Sequence, residues 1–412
     1  MPGLPFAAVE RSIRIPFSAD TVHRWLARPG ASERLTPPWE RIGALERWNH
    51  TCTIVPSDDS SCLLTDRIEY RSRAGWWLLR RRVERVLAYR HALLPQDLAA
   101  HARFAGHGSL RVAITGASGL IGRGLAAFLA SGGHSVLRVV RRQPAQGEIG
   151  WDPVAGRIDA AGLEGCDAVV HLAGENVASG RWTRTRRRRI RESRRQGTTL
   201  LADAIAGLAR KPRVLLSAAA IGIYGSRGDE VLTEESAAAP PGSFLADICR
   251  EWETATEPTR QAGVRVALPR FGLVLSPAGG ALGKMLPVFR AGAGGPLGSG
   301  RQWMSWISLE DVIGALHHAL FTDALLGPFN VVGPAPVTNA EFTRTLGRVI
   351  GRPTVLPAPA MALRLIFGEM ANETILASLR VLPERLLSSG YSFRHSTVES
   401  ALRFELGRFA GL

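Results

Sequence analysis

The stretch Arg111-Val-Ala-Ile-Thr-Gly116-Ala-Ser-Gly119-Leu-Ile-Gly122 decides the fold of this chain. Residues 112–114 are a short apolar run, the pattern of a strand buried on both faces of a parallel sheet. Three glycines follow at G-x-x-G-x-x-G spacing, and residues 120–130 continue as an amphipathic helix that stops at Ser131-Gly132-Gly133. Strand, glycine turn and helix N-terminus together make a phosphate cradle. Glycine lets backbone close on a diphosphate, and the first helical turn points unpaired N–H groups at it. A glycine triplet alone is a weak sign, because loops are glycine-rich everywhere. Here the strand before it and the helix after it supply the required context. A second strand at 135–140 follows at βαβ spacing. The stretch predicts a dinucleotide site that includes Gly116, Ser118, Gly119, Leu120, Ile121 and Gly122.

Outward from this turn the pattern stays βαβαβ, which predicts an α/β fold with a doubly wound parallel sheet. Cys166-Asp-Ala-Val-Val-His-Leu-Ala-Gly174 reads as a buried strand ending in small residues. A helix over 184–206, a strand over 213–217, a helix over 244–260 and a strand over 264–268 come next. Ligands in such sheets sit beyond the carboxyl ends of the strands, here 116–122, 140–142, 172–175, 217–224 and 269–274. Ser308-Leu-Glu-Asp311 and Thr338-Asn-Ala-Glu341 are capping patterns that open two further helices. Gly279-Gly-Ala-Leu-Gly-Lys-Met285 and residues 292–300 read as glycine-rich loops, either facing a substrate or serving as linkers. Residues after Pro353 belong to a smaller lobe.

Residues 1–108 read as a separate α+β segment. It holds a strand at 9–15, a helix at 18–27 capped by Ser18, and a short helix and turn at 28–39. Strands at 51–55 and 63–70 and a basic helix within 77–104 complete it, with a linker at 101–109. The expected organisation is therefore 1–108, a nucleotide-binding domain over 110–352, and a C-terminal domain over 353–412.

Composition narrows the function classes. At 412 residues, 45% hydrophobic and 21% charged, the chain has the make-up of a soluble globular protein. No apolar run approaches the ~20 residues of a membrane span, and the first ten residues lack the basic flank of a secretory signal. Cys52, Cys62, Cys166 and Cys249 are scattered without a C-x-x-C pair, which fits a reducing, cytoplasmic setting and no zinc site. The ten histidines form no H-E-x-x-H, so no metal is expected. A net charge of +15 invites a nucleic-acid partner. Yet Lys211 and Lys284 are the only lysines among 51 basic residues, a bias that points to codon usage instead of a phosphate-binding face. The arginine run from Arg181 to Arg195 would point all round a helix. Nucleic acid is not the expected partner; a small molecule is.

The residue after the second strand separates the two pyridine nucleotides. A carboxylate there binds a ribose 2′-OH, whereas arginine accommodates a 2′-phosphate. This chain has Val140-Arg141-Arg142 and no carboxylate nearby, and a guanidinium fork suits phosphate. NADP(H) is the expected cofactor; the other reading, that these arginines only reflect arginine richness, stays open.

These residues resemble the extended short-chain dehydrogenase/reductase superfamily, and within it the atypical NAD-dependent epimerase/dehydratase-like branch. The likeness runs from about Leu110 to the C-terminus. It rests on Thr115-Gly-Ala-Ser-Gly-Leu-Ile-Gly122, His171-Leu-Ala-Gly-Glu175, Arg181-Trp-Thr183, residues 190–194, Ile221-Gly-Ile-Tyr-Gly225, Gly294-Gly-Pro-Leu-Gly-Ser-Gly300 and Ser305-Trp-Ile307. The tail, with Gly368-Glu369 and Val381-Leu-Pro383, resembles the branch's C-terminal domain of unknown function. The resemblance implies that Leu172 and Ala173 line the adenosine side, that Gly174 belongs to the cofactor site and that Arg194 reaches the cofactor. It also implies that Glu175 and Ser217 lie near the nicotinamide end, and that two copies pair through the 184–206 and 244–260 helices. Arg28-Pro-Gly and Leu35-Thr-Pro-Pro-Trp39 give the N-terminal segment the look of a helix-grip (START-like) domain, shortened between Trp39 and Trp48, where further strands would be expected.

Most of that superfamily uses a Tyr-x-x-x-Lys pair for proton transfer, with a serine orienting the substrate oxygen. In this chain Phe244 and Ile248 stand at those two positions, and the serine position falls on Ala219 or Ala220. A phenyl ring has no proton to give. Candidate substitutes are Tyr224, Ser217, Glu175 and Cys249, the last reading as a buried structural thiol. Two functions remain: an NADP(H)-dependent epimerase or reductase acting on a small polar or sugar-like substrate, and a non-catalytic NADP(H)-binding structural or sensor module.

Overall fold

In the computed structural model, which describes residues 7–39, 47–71, 76–178 and 180–409, two units share the chain. Described residues up to 108, with 127–133 and 403–409, form the first; residues 109–126 with 134–402 form the second.

The first unit contains β1 (Ala7–Ile15), α1 (Ala19–Ala27), α2 (Ala31–Arg34), β2 (Arg47–Asp58), β3 (Ser61–Arg71) and α3 (Trp76–Ala102). Its three described strands are antiparallel in the order β1-β3-β2. Ser18 caps α1 by accepting from the Thr21 amide at 3.4 Å. Ile15, Trp25, Leu64, Leu94 and Leu98 join in one apolar cluster. A buried Arg34–Asp97 fork, at 2.8 and 3.0 Å, lies among the same helices. Asp66 is buried between His50, Arg90 and His91 and is held well below the usual carboxylate range by those partners against the cost of its burial. Of the stretch from Trp39 to Trp48, residues 40–46 lie outside the described residues.

The second unit is built on a nine-stranded sheet. In chain order it begins β4 (Arg111–Thr115), α4 (Leu120–Ser131), β5 (Ser135–Val140), β6 (Glu148–Asp152), β7 (Arg157–Ile158) and β8 (Ala168–His171). There follow α5 (Arg184–Gly207), β9 (Val214–Ser217), β10 (Ala219–Ala220), the short β11 (Val231–Leu232), α6 (Phe244–Thr254) and β12 (Arg265–Phe271). Spatially the order is β10-β12-β9-β8-β4-β5-β6-β7, with Gly327–Val331 also on β12. Every pairing in this sheet is parallel except β6 with β7. This is the doubly wound α/β architecture. The strand order reverses between β4 and β8, so the crevice of such a sheet opens at their carboxyl ends. Ala113, Val169, Leu215 and Val266 fill the sheet face under Leu201 and Ile205 of α5.

Two sequence expectations need correction. The glycine-rich 279–285 piece is not a loop: Gly280–Arg290 is a helix, because Leu282, Leu286 and Phe289 recur at helical spacing and are buried. The helix expected over 244–260 is two, Phe244–Thr254 and Glu257–Gln261. Pro258, at the start of the second, has no N–H to continue the first.

Candidate dinucleotide site

Each glycine of the opening turn has its own reason to be glycine. Gly116 sits at φ +67°, and a Cβ there would lie 2.9 Å from the Ala173 nitrogen and the Leu172 carbonyl. Gly119 closes the turn by donating its N–H to the Gly116 oxygen at 2.9 Å, and a Cβ on it would lie 3.2 Å from that oxygen. A side chain on Gly122 would collide with that same oxygen, so only glycine lets α4 begin so close to β4. Ser118 is exposed at the rim, and Leu120 and Ile121 open α4, whose first-turn amides have no partner within the helix. Backbone cleared of side chains beside a helix N-terminus is the fit a diphosphate requires.

The opposite wall is the end of β8. Leu172 and Ala173 donate their N–H groups to the Thr115 hydroxyl oxygen at 3.1 and 3.2 Å, and the Leu172 N–H also faces the Thr115 carbonyl at 3.3 Å. The Thr115 hydroxyl lies 2.7 Å from His171 Nδ1, whose Nε2 lies 3.0 Å from the Thr198 hydroxyl of α5. Thr115, His171 and Ser217 pair in register across three strand ends, and all three are fully buried.

Past β5, the two arginines part. Arg142 is forked onto the Gln143 carbonyl at 2.8 Å and the Glu148 carboxylate at 2.6 Å. Glu148 is a correction to the reading that no carboxylate stands nearby: β6 brings it alongside, and the Ala145 amide and Arg142 hold its carboxyl below the usual range. Arg141 is exposed, with no ion pair among the described residues, and follows Val140 at the strand end.

Ser193 and Arg194 of α5 staple the loop after β8. Ser193 accepts from the Glu175 N–H at 3.1 Å, and Arg194 Nη1 donates to the Glu175 carbonyl at 2.9 Å. The Arg194 guanidinium stacks on Trp252, 4.7 Å from the ring centre, and lies directly against Gly174, where a Cβ would sit 3.5 Å from Cζ. Glu175 keeps its carboxylate half-exposed, 3.9 Å from Arg186. Ser217 has a hydroxyl with no hydrogen-bond partner among the described residues.

Tyr224, one of the candidate substitutes, is held in a buried network. Its buried hydroxyl donates to Asn330 Oδ1 at 2.9 Å and accepts from Arg270 Nη1 at 2.9 Å, while Arg270 forks onto Glu253 at 2.7 and 2.9 Å. Burial raises its pKa, and proton transfer from it would require dismantling that network. Burial likewise pushes the Cys249 thiol up to about 12, so it stays protonated.

Phe244 and Ile248 are buried, with the Arg187 guanidinium over the Phe244 ring at 4.9 Å. They pack with Trp182, Ile190 and Met370, and the Trp182 and Phe244 rings meet at 4.9 Å. Glu373 takes the head of α6: its carboxylate accepts from the Ser243 hydroxyl at 3.0 Å and from the Phe244 and Leu245 amides at 3.2 and 2.8 Å. The sequence reading singled out neither Glu373 nor the bonds of His171. A polar residue ending the apolar run Ala168-Val-Val, level with the threonine that ends β4, was the one available sign.

The profile of the NAD dependent epimerase/dehydratase family matches residues 112–332. The chain belongs to that family. A domain of unknown function, DUF1731, matches residues 358–405 of this epimerase-family chain, as the tail motifs implied. It is 48% identical over 300 residues to the epimerase family protein Mb2239 of Mycobacterium bovis, across 72% of this chain and 98% of that one. The crystal structure of human epimerase family protein SDR39U1 (isoform 2) with NADPH is 35% identical, with a TM-score of 0.67, over 71% of this chain and 98% of that one. The crystal structure of the nucleoside-diphosphate sugar epimerase from Corynebacterium glutamicum is 32% identical, with a TM-score of 0.80, over 97% of this chain and 90% of that one. No described helix of this epimerase-family chain is long and apolar enough to cross a membrane.

Proposed function

We propose that this chain binds NADP(H) and acts as an epimerase- or reductase-like protein on a small polar or sugar-like substrate, without a Tyr-x-x-x-Lys pair. The observation that carries the reading is the Gly116–Gly122 turn, where a side chain on Gly116 would strike Leu172 and Ala173 and one on Gly122 would strike the Gly116 oxygen. Its first-turn amides would hold the diphosphate, and Arg141, unpaired and exposed past Val140, would take the 2′-phosphate. Arg142 would stiffen that corner through Glu148. Leu172, Ala173 and Gly174 would line the adenosine side, and Arg194 would reach past Gly174. Two relatives support the reading: the human protein crystallised with NADPH, and the Corynebacterium protein described as a nucleoside-diphosphate sugar epimerase.

A bound nicotinamide supplies hydride transfer. The chain must then hold or move the accompanying proton. Ser217, with its unsatisfied hydroxyl, would orient a substrate oxygen, and the half-exposed Glu175 carboxylate would accept or return the proton. Tyr224 is left as a structural hydroxyl. One observation favours a second reading, a non-catalytic NADP(H) module: apolar side chains fill the place of the usual pair.

The test is incubation with NADPH or NADP+ and a panel of carbonyl compounds and nucleotide sugars. Loss of reduced-nicotinamide absorbance, or a new epimer on chromatography, is the expected result. Tight binding without turnover would favour the module, and no binding would overturn both readings.

A further inference from the structure

His171 is fully buried at the end of β8, far in sequence from both of its partners, and its two ring nitrogens are both engaged. The direction of the bonds follows from counting protons. The Thr115 oxygen receives the N–H groups of Leu172 and Ala173, so its own proton is free to go only outward, to His171 Nδ1. With Nδ1 accepting, the ring proton must sit on Nε2, where it donates to Thr198. An imidazolium could not accept at Nδ1, and the chain of bonds would break. The surroundings agree: burial and the nearby Arg194 charge lower the His171 pKa to about 4, and Trp151 stands edge-on to the ring at 5.9 Å.

The groups at the two ends of this chain are the ones the dinucleotide reading depends on. Thr115 immediately precedes Gly116 and holds the two amides of the wall that Gly116 touches. Thr198 lies one helical turn after Arg194, on the same face of α5. The imidazole therefore joins the diphosphate turn, the Leu172–Ala173 wall and the arginine-bearing helix.

We propose that His171 is a positioning residue for the dinucleotide site. Its neutral, Nε2-protonated ring, clamped between Thr115 and Thr198, fixes the Leu172–Ala173 backbone against the glycine turn and sets the reach of Arg194. This role rests on the NADP(H) reading above.

The experiment compares wild type, His171→Gln and His171→Leu in the full chain. Glutamine keeps one acceptor and one donor; leucine keeps neither. Calorimetric NADPH affinity is expected to fall at least about tenfold in His171→Leu, the order of one lost buried hydrogen bond, and to recover largely in His171→Gln. Nitrogen-15 NMR of the wild type should show an Nε2-protonated neutral ring that does not titrate between pH 5 and 8. Unchanged NADPH affinity in folded His171→Leu, or failure of glutamine to rescue, would overturn the role alone. So would an Nδ1-protonated or charged ring, a result that stands even if the leucine variant fails to fold. Absence of NADPH binding by wild type would instead overturn the cofactor reading, and this role with it.

Discussion

Arg141 and Arg142 are neighbours in sequence with different fates. Arg142 is neutralised by Glu148, whereas Arg141 has no such partner among the described residues and is the guanidinium proposed to take an external phosphate. Arg141→Glu should weaken NADPH roughly tenfold to a hundredfold, because a charge-assisted contact becomes a repulsion, and should leave NADH within about threefold. Equal losses for both nucleotides, measured by calorimetry, would refute the 2′-phosphate assignment. His171 makes a second prediction at this scale. Its folded pKa, lowered to about 4, lies below the ~6.5 of an unfolded histidine. The unfolded chain therefore binds the extra proton first as pH drops. The stability this residue confers is whole above pH 6.5 and declines toward pH 4, by up to ~3 kcal/mol. Urea unfolding of the wild type should show that decline, and His171→Gln should show less of it. Identical slopes would contradict the assignment.

Among elements, α6 shows how the C-terminal lobe enters the site region. Glu373 supplies the acceptors that the first amides of α6 lack, with negative charge at the positive end of the helix dipole. Glu373→Ala should cost about 1–2 kcal/mol of stability, read as a lowered Tm, and Glu373→Gln should cost less. An unchanged Tm in the alanine variant would count against the cap. The strand–turn–helix at 111–131, the serine and threonine caps and the parallel sheet were legible because each is specified within a dozen residues. The helix at Gly280–Arg290 was hidden by glycines of low helix propensity, and only burial of Leu282, Leu286 and Phe289 outweighs them. Glu148 beside Arg142, Glu373 at the head of α6, and the Thr115–His171–Thr198 chain depend on pairings set by the sheet and the tail. No local pattern announces them. The same holds for Tyr224, a candidate acid by its place beyond a strand end, whose hydroxyl partners come from Arg270 and Asn330.

At the scale of the whole chain, the net charge of +15 coexists with many arginine–carboxylate pairs on the surface, such as Arg191–Glu251 and Arg348–Glu399. Exposed pairs of this kind contribute little to stability. The proposed function rests on the crevice where the sheet order reverses. Binding there must also stabilise the fold: NADPH at a hundred times its Kd adds about 2.7 kcal/mol, which a thermal melt reads as a raised Tm. The most direct measurement is titration of the folded protein with NADPH and with NADH in a calorimeter. Saturable one-site binding of NADPH and much weaker binding of NADH are expected; no heat with either nucleotide, on material with a cooperative melt, would overturn the dinucleotide site.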